Sequence, residues 1–261
     1  GTVQASGTPE DYRLSLNTAL LGEAFGELQA SLRASGDQQA VVVERLTVSR
    51  PDGDLGVQLD GRYELAGQQF QVEARIEALP LPLTGEPAVT VPGATLTASG
   101  TPADYQARLE TTLRGEALGE LQTLVEARGD ARTLQLENLR LTRPGSDLAV
   151  SLSGSYVLLD QRFDLDGTLN ALPVPLAGEP ALTIPTGEIS ASGTPEDYQA
   201  DLAVNLQGEA FGELSAALMA RGDTESVVLE ALRLGREGTD LAVALDGRFG
   251  FVRRRANQLP Q

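Results

Sequence analysis

The chain has 261 residues, with 20 basic and 37 acidic side chains, so its formal net charge at pH 7 is −17. It contains no His, Cys, Trp or Lys. This excludes Cys/His zinc sites, disulfides, thiol nucleophiles and histidine acid–base catalysis. The negative charge argues against a nucleic-acid binder, because contact with the phosphate backbone needs positive potential. The composition therefore favours a binding or structural protein over an enzyme, and it implies no cofactor and no metal.

The sequence repeats itself with a step of 93 residues. Residues 6–12 return as 99–105 and again as 192–198, so that Tyr12, Tyr105 and Tyr198 are equivalent. The predicted copies are residues 1–93, 94–186 and a shortened 187–261.

Within each copy, apolar and polar residues alternate with a period of two, which predicts β-strands with one apolar face. In the second copy this pattern covers residues 95–98, 105–113, 121–127, 134–141, 148–156 and 163–171. A change of phase near Glu137 and Asn138 predicts a bulge. Turn sequences such as Ser35-Gly36-Asp37 separate the runs. We therefore predict an all-β chain of about six strands per copy, seventeen in total.

So many strands need cover for their apolar faces, because open sheets rarely exceed about ten strands without curling, splitting or closing. A continuous trough, a solenoid and a separate β-sandwich for each copy all satisfy this need. Two apolar, Pro-rich segments join the copies, residues 78–87 and 171–180, and they are unlike solvated linkers. We favour a long antiparallel sheet curled into a U-shaped trough. Seventeen strands at about 4.8 Å each would run roughly 80 Å.

The inward side chains of such a trough would line an apolar groove, although a dry packed core is the alternative for the same residues. The predicted lining residues are Leu14, Leu16, Leu28, Leu32, Val57, Leu59, Phe70, Leu109, Leu113, Leu121, Val125, Leu134, Leu136, Val150, Leu152, Phe163, Leu165, Leu202, Val204, Leu214, Leu218, Val243 and Leu245.

The segment that joins the copies carries a family resemblance. Residues 81–87 (Leu-Pro-Leu-Thr-Gly-Glu-Pro), residues 92–101 and then Asp104-Tyr105 resemble the repeats of the TamB family, in the AsmA-like group of Gram-negative envelope proteins. The resemblance covers nearly the whole chain. It implies a β-taco fold and a bridge-like protein that passes phospholipid acyl chains along its groove. It further implies a periplasmic protein, anchored in the inner membrane, with an outer-membrane assembly protein as partner.

Three motifs resemble functional sites but are explained more simply as turns or as a solvated tail. The Arg-Gly-Asp sequences at 128–130 and 221–223 occur in adhesion ligands, but the first copy has Ser-Gly-Asp there, which favours a turn. Asp52, Asp54 and Asp60 offer oxygen ligands for calcium, yet the other copies lose some of these ligands. The Arg run at 253–255 has the charge to contact anionic lipid, but a solvated tail explains it better.

Two functions stay open. The first is a lipid-conducting β-groove without catalysis. The second is a structural array with a dry core, whose exposed edge strands pair end to end. A hydrolase would need a pair of carboxylates in a cleft, and no copy singles one out.

Overall fold

The computed structural model describes residues 1–22, 26–51, 53, 55–80, 89–115, 119–174, 182–208, 212–224, 226–236 and 242–250. Contacts divide the chain into two units, Gly1–Asp147 and Leu148–Gln261. The described residues contain seventeen strands and no helix.

Unit 1 is a meander of antiparallel strands, each paired with its neighbours in the chain. Its strands are β1 (Thr2–Thr8), β2 (Asp11–Gly22), β3 (Gly26–Gly36), β4 (Ala40–Ser49), β5 (Gly56–Glu64), β6 (Gln69–Pro80), β7 (Val89–Thr101), β8 (Asp104–Gly115), β9 (Gly119–Gly129) and β10 (Thr133–Thr142).

Unit 2 repeats the same arrangement with seven described strands, again paired in chain order. They are β11 (Ala149–Val157), β12 (Arg162–Val174), β13 (Leu182–Thr194), β14 (Asp197–Gly208), β15 (Gly212–Gly222), β16 (Ser226–Gly235) and β17 (Ala242–Gly250). The prediction of an all-β chain of antiparallel strands is therefore confirmed.

The turns between strands are built by side chains that bond to nearby backbone. In the hairpin between β7 and β8, the Asp104 N–H donates to Thr101 Oγ1 at 3.1 Å. The equivalent Asp197 N–H donates to Thr194 Oγ1 at 3.2 Å. Because these bonds close the loop tightly, the strands on either side leave the turn in antiparallel register.

The strand ladders run across both predicted copy boundaries. β6 pairs with β7 from Phe70↔Gly100 to Pro80↔Thr90, across the boundary at 93/94. β12 pairs with β13 in the same way across the boundary at 186/187. The copies are therefore not separate β-sandwiches. The division into units falls within the second copy, and the copy limits themselves stay a prediction.

The fourth strand of each copy contains one extra residue. The register of β10 against β9 shifts between Leu136 and Asn138, so Glu137 has no partner of its own in the ladder. Equivalent shifts place Glu44 in β4 and Glu230 in β16 at the same step. The bulge predicted near Glu137 and Asn138 is confirmed, and it keeps the leucines on both sides of it on one face of the sheet.

The start of the fifth strand of the second copy differs from the prediction. The sequence pattern placed Leu148 at the start of a strand, whereas β11 begins at Ala149. Leu148 is only 2% exposed, the lowest value among the apolar residues that form the core, and the equivalent Leu55 is 6% exposed. Both residues fill the end of a turn before the strand begins.

Candidate lipid-binding face

Antiparallel register shows which side chains share a face, because directly opposed residues point to the same side of a sheet. In unit 1, Leu16 opposes Leu32, Leu32 opposes Leu46, and Leu46 opposes Leu59. In the same way, Leu96 opposes Leu109, and Leu109 opposes Val125. We call the side that carries these residues the apolar face of unit 1, and the opposite side its polar face.

The register places every predicted groove residue of unit 1 on this apolar face. They are Leu14, Leu16, Leu28, Leu32, Val57, Leu59, Phe70, Leu109, Leu113, Leu121, Val125, Leu134 and Leu136. That this face binds lipid stays a prediction.

Unit 2 has an equivalent apolar face, and the remaining predicted residues lie on it. They are Val150, Leu152, Phe163, Leu165, Leu202, Val204, Leu214, Leu218, Val243 and Leu245. The side chain of Val243 lies outside the described residues. Leu245 is 53% exposed, because it stands on β17, whose described neighbour is β16 alone.

The apolar faces are half-covered rather than packed. Most predicted groove residues, such as Leu14, Leu109 and Leu202, are half-buried, whereas Leu121 and Val204 are buried at 8% exposure. Among the described residues, no large side chain is less than 2% exposed, and four of the ten buried apolar residues are alanines. Leucines between two packed sheets would be fully buried instead.

The charges are segregated from the apolar faces. The ion pairs along the strands, such as those of Arg108 with Glu110 and Glu126, join side chains of the polar faces. Arg128 pairs with the bulge residue Glu137 at 3.2 Å. The hydrogen bond from Arg108 to the Glu110 carboxylate is the main reason why the pKa of Arg108 is raised above its ordinary value. The sheet therefore separates water-facing charge from an uncharged surface.

A row of aromatic and glycine residues crosses each apolar face at one end of the strands. Phe70 opposes Gly100, Gly100 opposes Tyr105, and Tyr105 opposes Gly129. The φ angle of Gly100 is +131°, and a β-carbon there would collide with the Asp104 carbonyl. Because Gly100 has no side chain, the ring of Phe70 reaches over it towards Tyr105.

Two clefts among the described residues involve side chains of the polar faces, and they were not foreseen from the sequence. One, of about 830 Å³, is lined by Asn170, Glu188, Asn205 and Arg233 among others. The other, of about 760 Å³, occupies the position 93 residues earlier, in β6–β10. Both clefts are lined by polar and apolar groups together. Pro92 and Pro185 lie within the register shifts that border the clefts, and proline in a strand is a sequence sign of such a shift.

The Arg-Gly-Asp motif of the second copy is a turn, as predicted. Asp130 Oδ1 accepts hydrogen bonds from the backbone of Arg132 at 2.7 Å and of Thr133 at 2.8 Å. These two bonds lower the pKa of the Asp130 carboxyl from its usual 3.8. The same arrangement at Asp37, with Gln39 and Ala40 as donors, lowers the pKa there as well.

The other motifs remain without a functional assignment. Asp52 and Asp54 lie outside the described residues, as does the arginine run at 253–255. The described part of the chain contains no group of three or more acidic side chains placed to hold a metal ion. Among the same residues there is no helix with the length and hydropathy needed to cross a membrane.

Repeated antiparallel strands, an uncharged apolar face and a charged opposite face define a class of amphipathic β-repeat proteins. The comparison with protein families shows which family within this class the chain matches. The family described as TamB, N-terminal domain matches residues 52–157 and again residues 147–246, well over half of the chain. The chain belongs to the TamB family. No curated protein and no solved structure matches it.

Proposed function

We propose that this chain is a segment of a bridge-like lipid transport protein, and that its apolar faces carry the acyl chains of phospholipids. The half-covered leucines of the apolar faces are the observation that carries the proposal. Membership of the TamB family supports it, because TamB proteins belong to the bacterial envelope. The function is passive and needs no catalytic group.

The energetics favour such a role. Moving a CH₂ group from water to an apolar surface is favourable by about 0.8 kcal/mol. Exposing a sixteen-carbon chain to water therefore costs roughly 12 kcal/mol of free energy. An uncharged face that continues from strand to strand removes most of this cost at every step. The ten strands of unit 1 offer such a path over about 43 Å.

The proposal includes a place and an orientation for the apolar face. A polar face with paired charges suits contact with water, so the element fits the aqueous periplasm between two membranes. In the whole protein we expect an anchor in the inner membrane and an outer-membrane assembly protein as partner. The apolar faces would line the inside of a curled trough, where lipid tails are shielded from water.

Site-specific photo-crosslinking tests the lipid path. A photoreactive amino acid at position 109 replaces an apolar-face leucine, and one at position 106 replaces Gln106 on the polar face of the same strand. After gentle purification, mass spectrometry should find phospholipid bound at position 109 and none at 106. Protein free of lipid at both positions would contradict the proposal and favour the structural array with a dry core.

A further inference from the structure

All the tyrosines of the chain lie at one end of the strands, on the apolar faces. In unit 1, a single row of opposed residues contains Tyr12, Tyr63 and Tyr105. In unit 2, the equivalent row contains Tyr156 and Tyr198. The chain has no other tyrosine. We call this end of the strands the tyrosine end of each unit.

The opposite end of the apolar faces is aliphatic, and we call it the leucine end. Opposed leucine pairs stand there: Leu20↔Leu28, Leu113↔Leu121 and Leu206↔Leu214. From Tyr105 to Leu113, β8 advances eight residues, which is roughly 27 Å. The tails of one phospholipid fill half of a hydrocarbon core about 30 Å thick. They therefore fit along a single strand.

The tyrosine hydroxyls are held on the sheet and are available to a ligand. A β-carbon at Gly36, Gly129 or Gly222 would meet the hydroxyl of the tyrosine on the preceding strand, so each of these rings lies over a glycine. Within the described residues, the tyrosine hydroxyls have no hydrogen-bond partner. The rings themselves are half-buried. An apolar ring with a polar tip suits the boundary between acyl chains and headgroups.

The two ends also differ in charge. In unit 1, the described turns and strand ends beside the tyrosines carry Glu10, Asp11, Asp37, Asp104 and Asp130, with Arg132 among them. Unit 2 has Glu196, Asp197 and Asp223 at the equivalent places. At the leucine end of unit 1, by contrast, Arg114 pairs with Glu120 at 3.1 Å, and Arg143 follows β10. The acidic tyrosine end attracts a cationic group and repels a headgroup with net negative charge.

We propose that a bound phospholipid lies along the strands, with its headgroup at the tyrosine end and its tails towards the leucine end. The site favours headgroups that contain an ammonium group, as in ethanolamine and choline. The ammonium group lies among the acidic side chains and against the tyrosine rings, and the tyrosine hydroxyls donate to the phosphate oxygens. This inference rests on the proposed lipid transport, to which it adds the direction of the lipid and the class of its headgroup.

Intrinsic fluorescence tests the direction of the lipid, because the chain has five tyrosines, all at one end, and no tryptophan. The full chain is mixed with vesicles of phosphatidylcholine that carries a nitroxide quencher either on the headgroup or at the methyl end of an acyl chain. After the vesicles are removed, bound lipid is measured as phosphorus. At equal bound lipid, the headgroup label should cause the larger loss of tyrosine emission. Equal losses, or a larger loss with the tail label, would overturn the direction, whereas protein without bound lipid would contradict the proposed transport itself.

Competition between two lipids tests the class of headgroup. From vesicles of equal parts phosphatidylethanolamine and phosphatidylglycerol, the full chain should retain about threefold more phosphatidylethanolamine, the size of one exposed charge interaction. Asp104→Asn combined with Asp197→Asn should remove this preference, while Asp166→Asn, on the polar face of β12, should keep it. Equal retention of the two lipids by the wild type, or an unchanged preference in the folded double variant, would overturn the headgroup assignment.

Two further changes test the hydroxyls without removing the rings. Tyr105→Phe combined with Tyr198→Phe should lower the amount of bound phosphatidylethanolamine about threefold, as expected for lost hydrogen bonds. Thr97→Val, which removes a hydroxyl from the polar face of β7, should leave that amount unchanged. Equal binding by the wild type and the folded double variant would show that the tyrosine hydroxyls do not hold the phosphate.

Discussion

The ring of Phe70 on β6 lies 6.4 Å from the ring of Tyr105 on β8, at an interplanar angle of 46°, and Gly100 of β7 lies between them in the register. The pair repeats at Phe163 and Tyr198, with Gly193 between. The middle residue must be glycine for two reasons: its φ angle is positive, and a β-carbon there would collide with a backbone carbonyl. This three-strand row fixes the register at one end of the apolar face in two successive copies.

Gly100→Ala should destabilise unit 1 by about 1–3 kcal/mol. The φ of +131° is strained for alanine, and the new β-carbon would meet the Asp104 carbonyl. Urea unfolding measures the free energy of unfolding. Gly93→Ala on the same strand is the control, since its nearest neighbour would be the Ile76 carbonyl at 3.7 Å. Equal stability of the two variants would show that the row tolerates a side chain.

Leu109→Arg should abolish retention of phospholipid while the protein stays folded. Leu109 is half-buried, so a long side chain can reach water, and the loss of stability should be about 1 kcal/mol. Leu202→Arg, its equivalent in the third copy, should act in the same way. Lipid extraction and circular dichroism are the measurements, with the polar-face variant Gln106→Arg as control. Global unfolding of both leucine variants would reveal a packed core.

Deletion of Glu137 should leave a folded protein. Glu137 is the extra residue of the β10 bulge, so its removal lets Leu136, Asn138 and Leu139 pair without a step and keeps both leucines on the apolar face. The expected cost is below about 2 kcal/mol, chiefly from local twist and the exposed contact with Arg128.

Deletion of Gln122 provides the contrast to deletion of Glu137. β9 is regular at this point and pairs with strands on both sides, so removing one residue turns one half of the strand over. Thermal unfolding should show a large loss of stability for this variant. A similar loss for both deletions would mean that the bulge itself is needed for the fold.

Acid should remove the stabilising effect of the Asp130 turn. The carboxyl has a lowered pKa in the folded protein, so its contribution is present above the unfolded value of about 3.8 and is lost as the pH falls through the folded pKa. Asp130→Asn should therefore narrow the gap in melting temperature between pH 7 and pH 3. The variant Asp164→Asn, an exposed change on β12, is the control. If the difference in melting temperature between pH 7 and pH 3 were the same in Asp130→Asn as in the wild type, the Asp130 carboxylate would not contribute to this pH dependence.

Strand positions were predictable because alternation and turn residues are local signals. The run from Tyr105 to Leu113 alternates without a break, and β8 covers it from Asp104 to Gly115. The bulge at Glu137 was visible for the same reason, since a change of phase in the leucines has no other simple cause. Three equivalent copies made each of these signals stronger than a single copy would.

The polar-face clefts were not predictable in the same way. They border register shifts in β7 and β13, and the predicted first strand of the second copy began only at residue 95, after the shift in β7. The turn extends one residue further than predicted, to Leu148, because a leucine in phase with the next strand looks like its first residue. The exposed fraction of the apolar-face side chains could not be predicted either, because a set of leucines and alanines suits a filled core equally well.

Within each unit, the pairing of each later strand with its predecessor has a consequence for how the protein is made. In each unit, the partner of a new strand has already been synthesised when that strand appears, and few residues separate the two strands in the chain. Loop closure is then cheap at every step. Folding can therefore keep pace with delivery of the chain, one hairpin at a time, without waiting for the far end.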